Sequence, residues 1–334
     1  MIRWKGTFGG SSYECAYSCL QTYDGGYITV GSTGSYSSSV DVYLFKTDSV
    51  GKMKWFKNFG GLGIDVGRSI KQTADSGFVI AGYTNSPSTG YDVYVIRTDK
   101  SGDTLWTKKY GGSNWDFGYS IFETYDSGFV VAGGTYSYGV GDEDFYLLRL
   151  NKMGDTLWTK TYGGTNEDEA SCVLESSNDS GFVLVGKTKS FADIMGSAYV
   201  VKTDKDGTMI SDGEYGGSDN DYLNSIVEAP FINGFIAVGG TLSYGPDEDV
   251  YMARLNYSCD TVWTKAQLSG GSLSDKDFAN SVAISQYDSC FALIGTTQSG
   301  SPGYDDVYLF KFDSTGYYQT ATTYGTLNQD RGLS

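Results

Sequence analysis

Tryptophan returns through this chain at a nearly fixed interval. Trp4, Trp55, Trp106, Trp158 and Trp263 lie 51, 51, 52 and 105 residues apart, the last gap being two intervals with one position lost. The surrounding text repeats as well: WKGTFGG, WFKNFGG, WTKKYGG, WTKTYGG and WTKAQLSGG. A period near 50 residues means one supersecondary unit copied in tandem, each copy burying its apolar surface on its neighbours.

The copy 55–105 shows what the unit is. RSIKQT, FVIAGYT, DVYVIRTD and TLWTKKYGG are short runs rich in β-branched and aromatic residues, bounded by Gly, Asp, Ser or Asn. No segment carries useful helical periodicity. Each copy is therefore predicted to be a four-stranded antiparallel meander. The copies run approximately 4–54, 55–105, 106–157, 158–210, 211–262 and 263–320, with a partial 321–334, in a single domain 1–334. Copy five loses its Trp in TMISDGEYGG, and copy six carries an insertion around Gln267–Lys276.

Composition excludes several function classes. A net charge of −16 repels phosphate backbones and anionic lipid, so nucleic acid and membrane surfaces are poor partners. No apolar run is long enough to span a bilayer. MIRWKGTFGG lacks the apolar stretch of a signal peptide and begins inside a repeat, as expected of a cropped or mature form. The chain has no His, which removes Ser-His-Asp, Cys-His and His-ligated metal chemistry.

None of the 5 Cys forms a CxxC pair. Cys19 and Cys172 fall where other copies carry Ile70, Ile121, Ile226 and Val282, and read as small buried hydrophobes. Cys259 and Cys290 instead replace turn glycines of adjacent units. They are candidates for a disulfide, which geometry decides.

Two polar regularities run through the copies. The third strand reads Asp-x-Tyr-x-x-Lys/Arg: Asp41/Tyr43/Lys46, Asp92/Tyr94/Arg97, Asp144/Tyr146/Arg149, Asp249/Tyr251/Arg254 and Asp306/Tyr308/Lys311. The fourth copy keeps Tyr199 and Lys202 but has Ser197. Tyr and the cation face opposite sides of the sheet. Asp48, Asp99, Asp204 and Asp313, two residues after the cation on its own face, are the expected partners in an ion-pair ladder. Before each first strand an acid stands four residues ahead of Ser: Glu14/Ser18, Asp65/Ser69, Asp116/Ser120, Glu167/Ser171, Asp221/Ser225, Asp277/Ser281 and Asp330/Ser334. Such an acid closes a turn onto backbone N–H groups. The alternative is a ring of carboxylates, Asp65, Asp116, Asp221 and Asp277 among them, that binds Ca²⁺.

Four-stranded units of this length stack as a closed ring or an open solenoid, and a radial β-propeller protects the most edges. The string D-x-Y-x-x-K-x-D-x-x-G, then W and YGG, then D-x-G-x-S-I and DSGF, resembles the secreted or cell-surface repeat propellers of bacteria and archaea. These are distant relatives of the tryptophan-docked, quinoprotein-like propellers. The resemblance covers essentially the whole chain. It implies an all-β propeller of six complete blades, with terminal strands that form a partial seventh or are the cut ends of a longer array. It also implies an extracellular or cell-surface location. No cofactor constellation of a quinone-dependent dehydrogenase is present, and fold alone assigns no activity.

Turns such as DSG and SGD are short and uniform. The loops between second and third strands are not: SYSSSV, SPSTGY, SYGVGDE, SFADIMGS, SYGPDE and SGSPGYD. Variable loops on a rigid scaffold are where binding resides. They carry Tyr36, Tyr138, Phe191 and Tyr244 at matching positions, with Trp115 nearby. These aromatics either contact a ligand or pack down on a neighbouring blade. The expectation is a non-catalytic scaffold that binds glycan or protein, or assembles with its own copies, without a cofactor. The alternative is a carbohydrate-active enzyme using Asp142 with Glu143, or Asp247 with Glu248.

Overall fold

The computed structural model describes residues 6–87, 90–191, 195–245, 247–267, 276–285, 288–298, 305–326 and 329–334. Trp4 and most of the copy-six insertion lie outside them. The chain forms six four-stranded antiparallel sheets, each in sequential order, at 14–59, 65–110, 116–162, 168–215, 221–267 and 277–324. This is the all-β propeller class, with blades 1 to 6 in chain order. One 3₁₀ turn, Pro230–Ile232, is the only helix among the described residues.

The blades fall into two compact units. One comprises Met1–Gly139 with Glu143–Thr161, the other Val140–Asp142 with Tyr162–Ser334. In the first unit, blades 1 and 2 share a core of Ile28, Val30, Val42 and Leu44 against Ile70, Phe78, Ile80 and Ile96. In the second, blade 5 meets blade 6 through Ile236, Val238, Val250 and Met252 against Val282, Phe291, Leu293 and Phe310. The second and third strands are buried on both sides and read as continuous apolar runs, while outer strands such as Met53–Phe59 alternate with solvent.

The repeated Trp is a docking residue. It lies on the outer strand opposite the third-strand cation, as Trp55 opposite Lys46 and Trp106 opposite Arg97. Its ring lies against a turn glycine of the following blade. A Cβ on Gly102 would come within 2.7 Å of Trp55, one on Gly154 within 2.9 Å of Trp106, and one on Gly316 within 2.9 Å of Trp263. These glycines have φ of +78°, +77° and +72°, so backbone conformation and ring contact both exclude a side chain. The YGG tyrosine adds a hydrogen bond to the same turn: Tyr110 Oη donates to the Gly154 carbonyl at 2.6 Å.

At the junction of blades 4 and 5 both halves of this pair change together. Ser211 stands opposite Lys202 where Trp is expected, and Cys259, at φ +65° and buried, occupies the glycine position. Tyr215 Oη still reaches the Cys259 carbonyl at 2.6 Å.

The third-strand cations do not pair along their own strand. Five of the six cross to the Asp of the preceding turn: Lys46–Asp24, Arg97–Asp75, Arg149–Asp126, Lys202–Asp179 and Lys311–Asp288. The acids expected as partners do other work. Asp48, Asp99, Asp204 and Asp313 accept backbone N–H groups inside the turn to the outer strand. The hairpin brings the DSG carboxylate across to the cation, whereas the next acid on the strand already lies in a bend that needs its own acceptor. Blade 5 has the 3₁₀ turn in place of DSG, and Arg254 donates instead to the Ile232 and Ser314 carbonyls at 3.2 and 3.1 Å.

The two turn cysteines are not bridged. The Cys259 turn takes its hydrogen bonds from blade 4, and burial pushes its thiol up to about 12. Cys290 stays within blade 6 beside Asp288 and Lys311. At its position other blades have glycine, because a Cβ on Gly77 would lie 2.3 Å from Arg97. Lys311 is correspondingly 32% exposed, against 2% for Lys202.

Candidate functional site

Each inner strand opens with an acid whose oxygens are spent inside its own blade. Asp116 accepts from Thr135 Oγ1, from Ser137 Oγ at 2.7 Å and from the Gly112 N–H at 2.8 Å. Asp65 and Asp221 do the same with Thr84, Ser86 and Gly61, and with Thr241, Ser243 and Gly217. The motif ties both loops of a blade to one buried carboxylate. In blade 4 this acid is Asp168 rather than Glu167, bonded to Thr188, Ser190 and Gly164. That blade is therefore shifted by one residue: Cys172 takes the Ser position, and Val173 fills the site of Ile70 and Ile121. Cys19, at that same site in blade 1, is exposed. Among the described residues no three His, Cys, Asp or Glu side chains converge as a metal site, and Asp65, Asp116, Asp221 and Asp277 stand one per blade.

The loop aromatics Tyr36, Tyr138, Phe191 and Tyr244 are not brought together. Each packs on the third-strand Tyr of its own blade: Tyr36, Tyr138 and Tyr244 stack on Tyr43 at 5.5 Å, Tyr146 at 5.8 Å and Tyr251 at 6.1 Å, and Phe191 meets Tyr199 at 5.4 Å with the rings tilted by 46°. Tyr138 and Tyr244 also donate to the Gly111 and Gly216 carbonyls, at 2.8 and 3.0 Å. One ring face packs and the other is open, with exposures of 37 to 48%.

Trp115 belongs to a different arrangement. At the loop end of the first unit it meets Tyr91 at 5.9 Å, Tyr136 at 6.3 Å and Phe117 at 6.4 Å, all edge-on. Tyr83 joins through Tyr91 at 5.3 Å and Phe117 at 5.2 Å. Trp115 is 52% exposed and Tyr136 39%. The Tyr136 hydroxyl donates to buried Glu143 at 3.0 Å. The patch extends inward through Phe117, stacked on Tyr119 at 5.8 Å. The Arg68 guanidinium then lies between Tyr119 and Tyr17, 5.4 and 4.3 Å from the ring centres. Tyr17, Arg68 and Tyr119 are the bulge residues of three successive inner strands.

The repeat itself marks this patch. Tyr83 stands where other copies have Ser32, Gly134, Lys187, Gly240 or Thr296. In blade 4 the positions of Tyr83, Trp115 and Tyr136 hold Lys187, Glu167 and Lys189. Both lysines pair with Glu167 at 2.9 Å and hold its carboxyl below the usual range. The ion cluster lies within blade 4, whereas the aromatic patch takes Tyr83 from blade 2 and Trp115 and Tyr136 from the start of blade 3 and its loop.

The acids considered for catalysis are placed as follows. Asp142 is exposed and Glu143 is engaged by Tyr136. Glu248 accepts the Tyr222 hydroxyl at 2.5 Å. Burial, with Asp277 and Asp247 nearby, pushes Asp249 up to about 6.

No family model matches the chain. Among curated proteins it is similar to Regulatory protein FlaEY of Caulobacter vibrioides, 26% identical over 211 residues and 53% of this chain. The chain spans only 21% of that relative's length. Among solved structures, Sqt1 from Chaetomium thermophilum superposes with a TM-score of 0.51 at 11% identity, covering 92% of this chain and 71% of that one. That likeness concerns the fold alone. Among the described residues, no helix is long and apolar enough to cross a membrane.

Proposed function

We propose that this propeller is a non-catalytic binding scaffold whose ligand is a protein segment, held at the loop end of the first unit. The observation that carries this reading is the Trp115 patch, four of whose rings (Tyr83, Tyr91, Trp115 and Tyr136) stand at positions that vary from copy to copy. Rings meeting at 79 to 89° make a corrugated surface of edges and hydroxyls rather than one flat sugar platform. Trp, Tyr and Arg are also the residues that dominate protein recognition energetically. The regulatory designation of the curated relative supports binding over catalysis, and a cell-surface setting is part of the same proposal.

The test is selection of a displayed peptide library on the whole chain, beside a glycan array, with Trp115→Ala and Tyr136→Ala as controls. Peptides enriched on the parent and lost on both variants, at unchanged thermal stability, support the reading. Enrichment that ignores both substitutions overturns it. Glycan hits that vanish with Trp115→Ala would replace the peptide with a sugar.

A further inference from the structure

Blade 2 departs from its neighbours at one loop position. Where blades 1, 3, 4 and 5 place Tyr36, Tyr138, Phe191 and Tyr244 over the third-strand Tyr, blade 2 has Pro87, which lines one pocket with Tyr94. The next aromatic in that loop, Tyr91, is committed to Tyr83 and Phe117. The space vacated is a pocket of about 520 Å³ lined by Gly60, Ser86, Pro87, Tyr94, Thr107 and Lys109.

The pocket's floor and wall are those that hold a phenol elsewhere in this chain. Tyr94 is the counterpart of Tyr146, and Gly60 the counterpart of Gly111, whose carbonyl takes the Tyr138 hydroxyl. Lys109 sits at the rim, its ammonium donating to the Ser86 carbonyl at 3.3 Å and lying 3.7 Å from Asp92. We infer that this pocket receives a tyrosine side chain from a bound protein segment. Its ring stacks on Tyr94 and its hydroxyl donates to Gly60, as Tyr138 does in blade 3. The inference deepens the protein-binding reading above and rests on it, but it concerns a separate surface feature.

The probes are N-acetyl-tyrosinamide, its phenylalanine analogue and its leucine analogue, titrated onto the whole chain by NMR. The inference expects tyrosine to bind best. Phenylalanine should bind about 5-fold more weakly, through loss of one hydrogen bond, and leucine weaker still. Pro87→Tyr supplies the ring from within, so it should abolish tyrosine binding while raising the thermal midpoint. Equal binding of leucine, absence of tyrosine binding, or tyrosine binding that survives Pro87→Tyr overturns the pocket. The protein-binding reading fails separately, when peptide enrichment ignores Trp115→Ala and Tyr136→Ala.

Discussion

Restoring the lost Trp–Gly pair at the junction of blades 4 and 5 tests how the blades are held together. The four species are the parent, Ser211→Trp, Cys259→Gly and the double variant. Ser211→Trp alone drives an indole against the Cys259 side chain, at a place where other blades leave no room even for a Cβ, 2.7 to 2.9 Å from the ring. Such overpacking costs about 2 kcal/mol. Cys259→Gly alone removes a buried thiol, worth about 1 kcal/mol. It also relieves a left-handed backbone at φ +65°, worth about the same, so it is near neutral. The double variant rebuilds the arrangement of Trp55 on Gly102 and gains about 1–2 kcal/mol from burying the ring. The expected coupling is therefore about 3–4 kcal/mol in favour of the double variant, large for a contacting pair. Urea unfolding followed by fluorescence reads it directly. Effects that add to within ~0.5 kcal/mol would show that Ser211 and Cys259 do not exchange for Trp and Gly, and the docking argument would fail.

Other outcomes follow from the same geometry. Arg97→Ala, which strips Asp75 and two backbone carbonyls of their donor, should lower stability by about 2–3 kcal/mol. Arg254→Ala, with no carboxylate partner described, should cost less, and calorimetry showing the reverse order would contradict the ion-pair assignment. Asp116→Asn leaves one of the Thr135, Ser137 and Gly112 donors unmatched and should cost about 1–3 kcal/mol of thermal stability without changing the secondary structure seen by circular dichroism. Lysine and turn hydrogen bonds hold Asp24 and Asp288 at about 2. In Asp126, Thr124 and Arg149 outweigh burial and leave it also at about 2. Their folded values lie below the unfolded one, so this stability is present above pH ~4 and disappears as pH falls toward 2. A urea midpoint that rises over that window would refute the assignment. Asp249 runs the other way: its pKa is pushed up to about 6, so its ionisation destabilises the fold as pH rises through that value. Asp249→Asn should raise the midpoint at pH 7 and leave it nearly unchanged at pH 4.

What the sequence alone determined is the unit and its count. Period-two strands bounded by Gly, Asp and Ser, repeated with a Trp on the last strand, specify a four-stranded meander, because strand pattern and turn chemistry are local. The acid before each inner strand was legible as a turn-closing group for the same reason. The partners of Lys46 or Arg97 were not, since the bond runs across a hairpin to Asp24 or Asp75 rather than along the strand. The one-residue shift at Asp168 was hidden because Glu167 beside it satisfies the same pattern. The bulges that place Tyr17, Arg68 and Tyr119 in one stack leave no mark in the text. Only tertiary structure could gather Tyr83, Tyr91, Trp115 and Tyr136 from two blades, or show that Pro87 leaves a pocket beside Tyr94, because both depend on which residues neighbouring strands bring face to face.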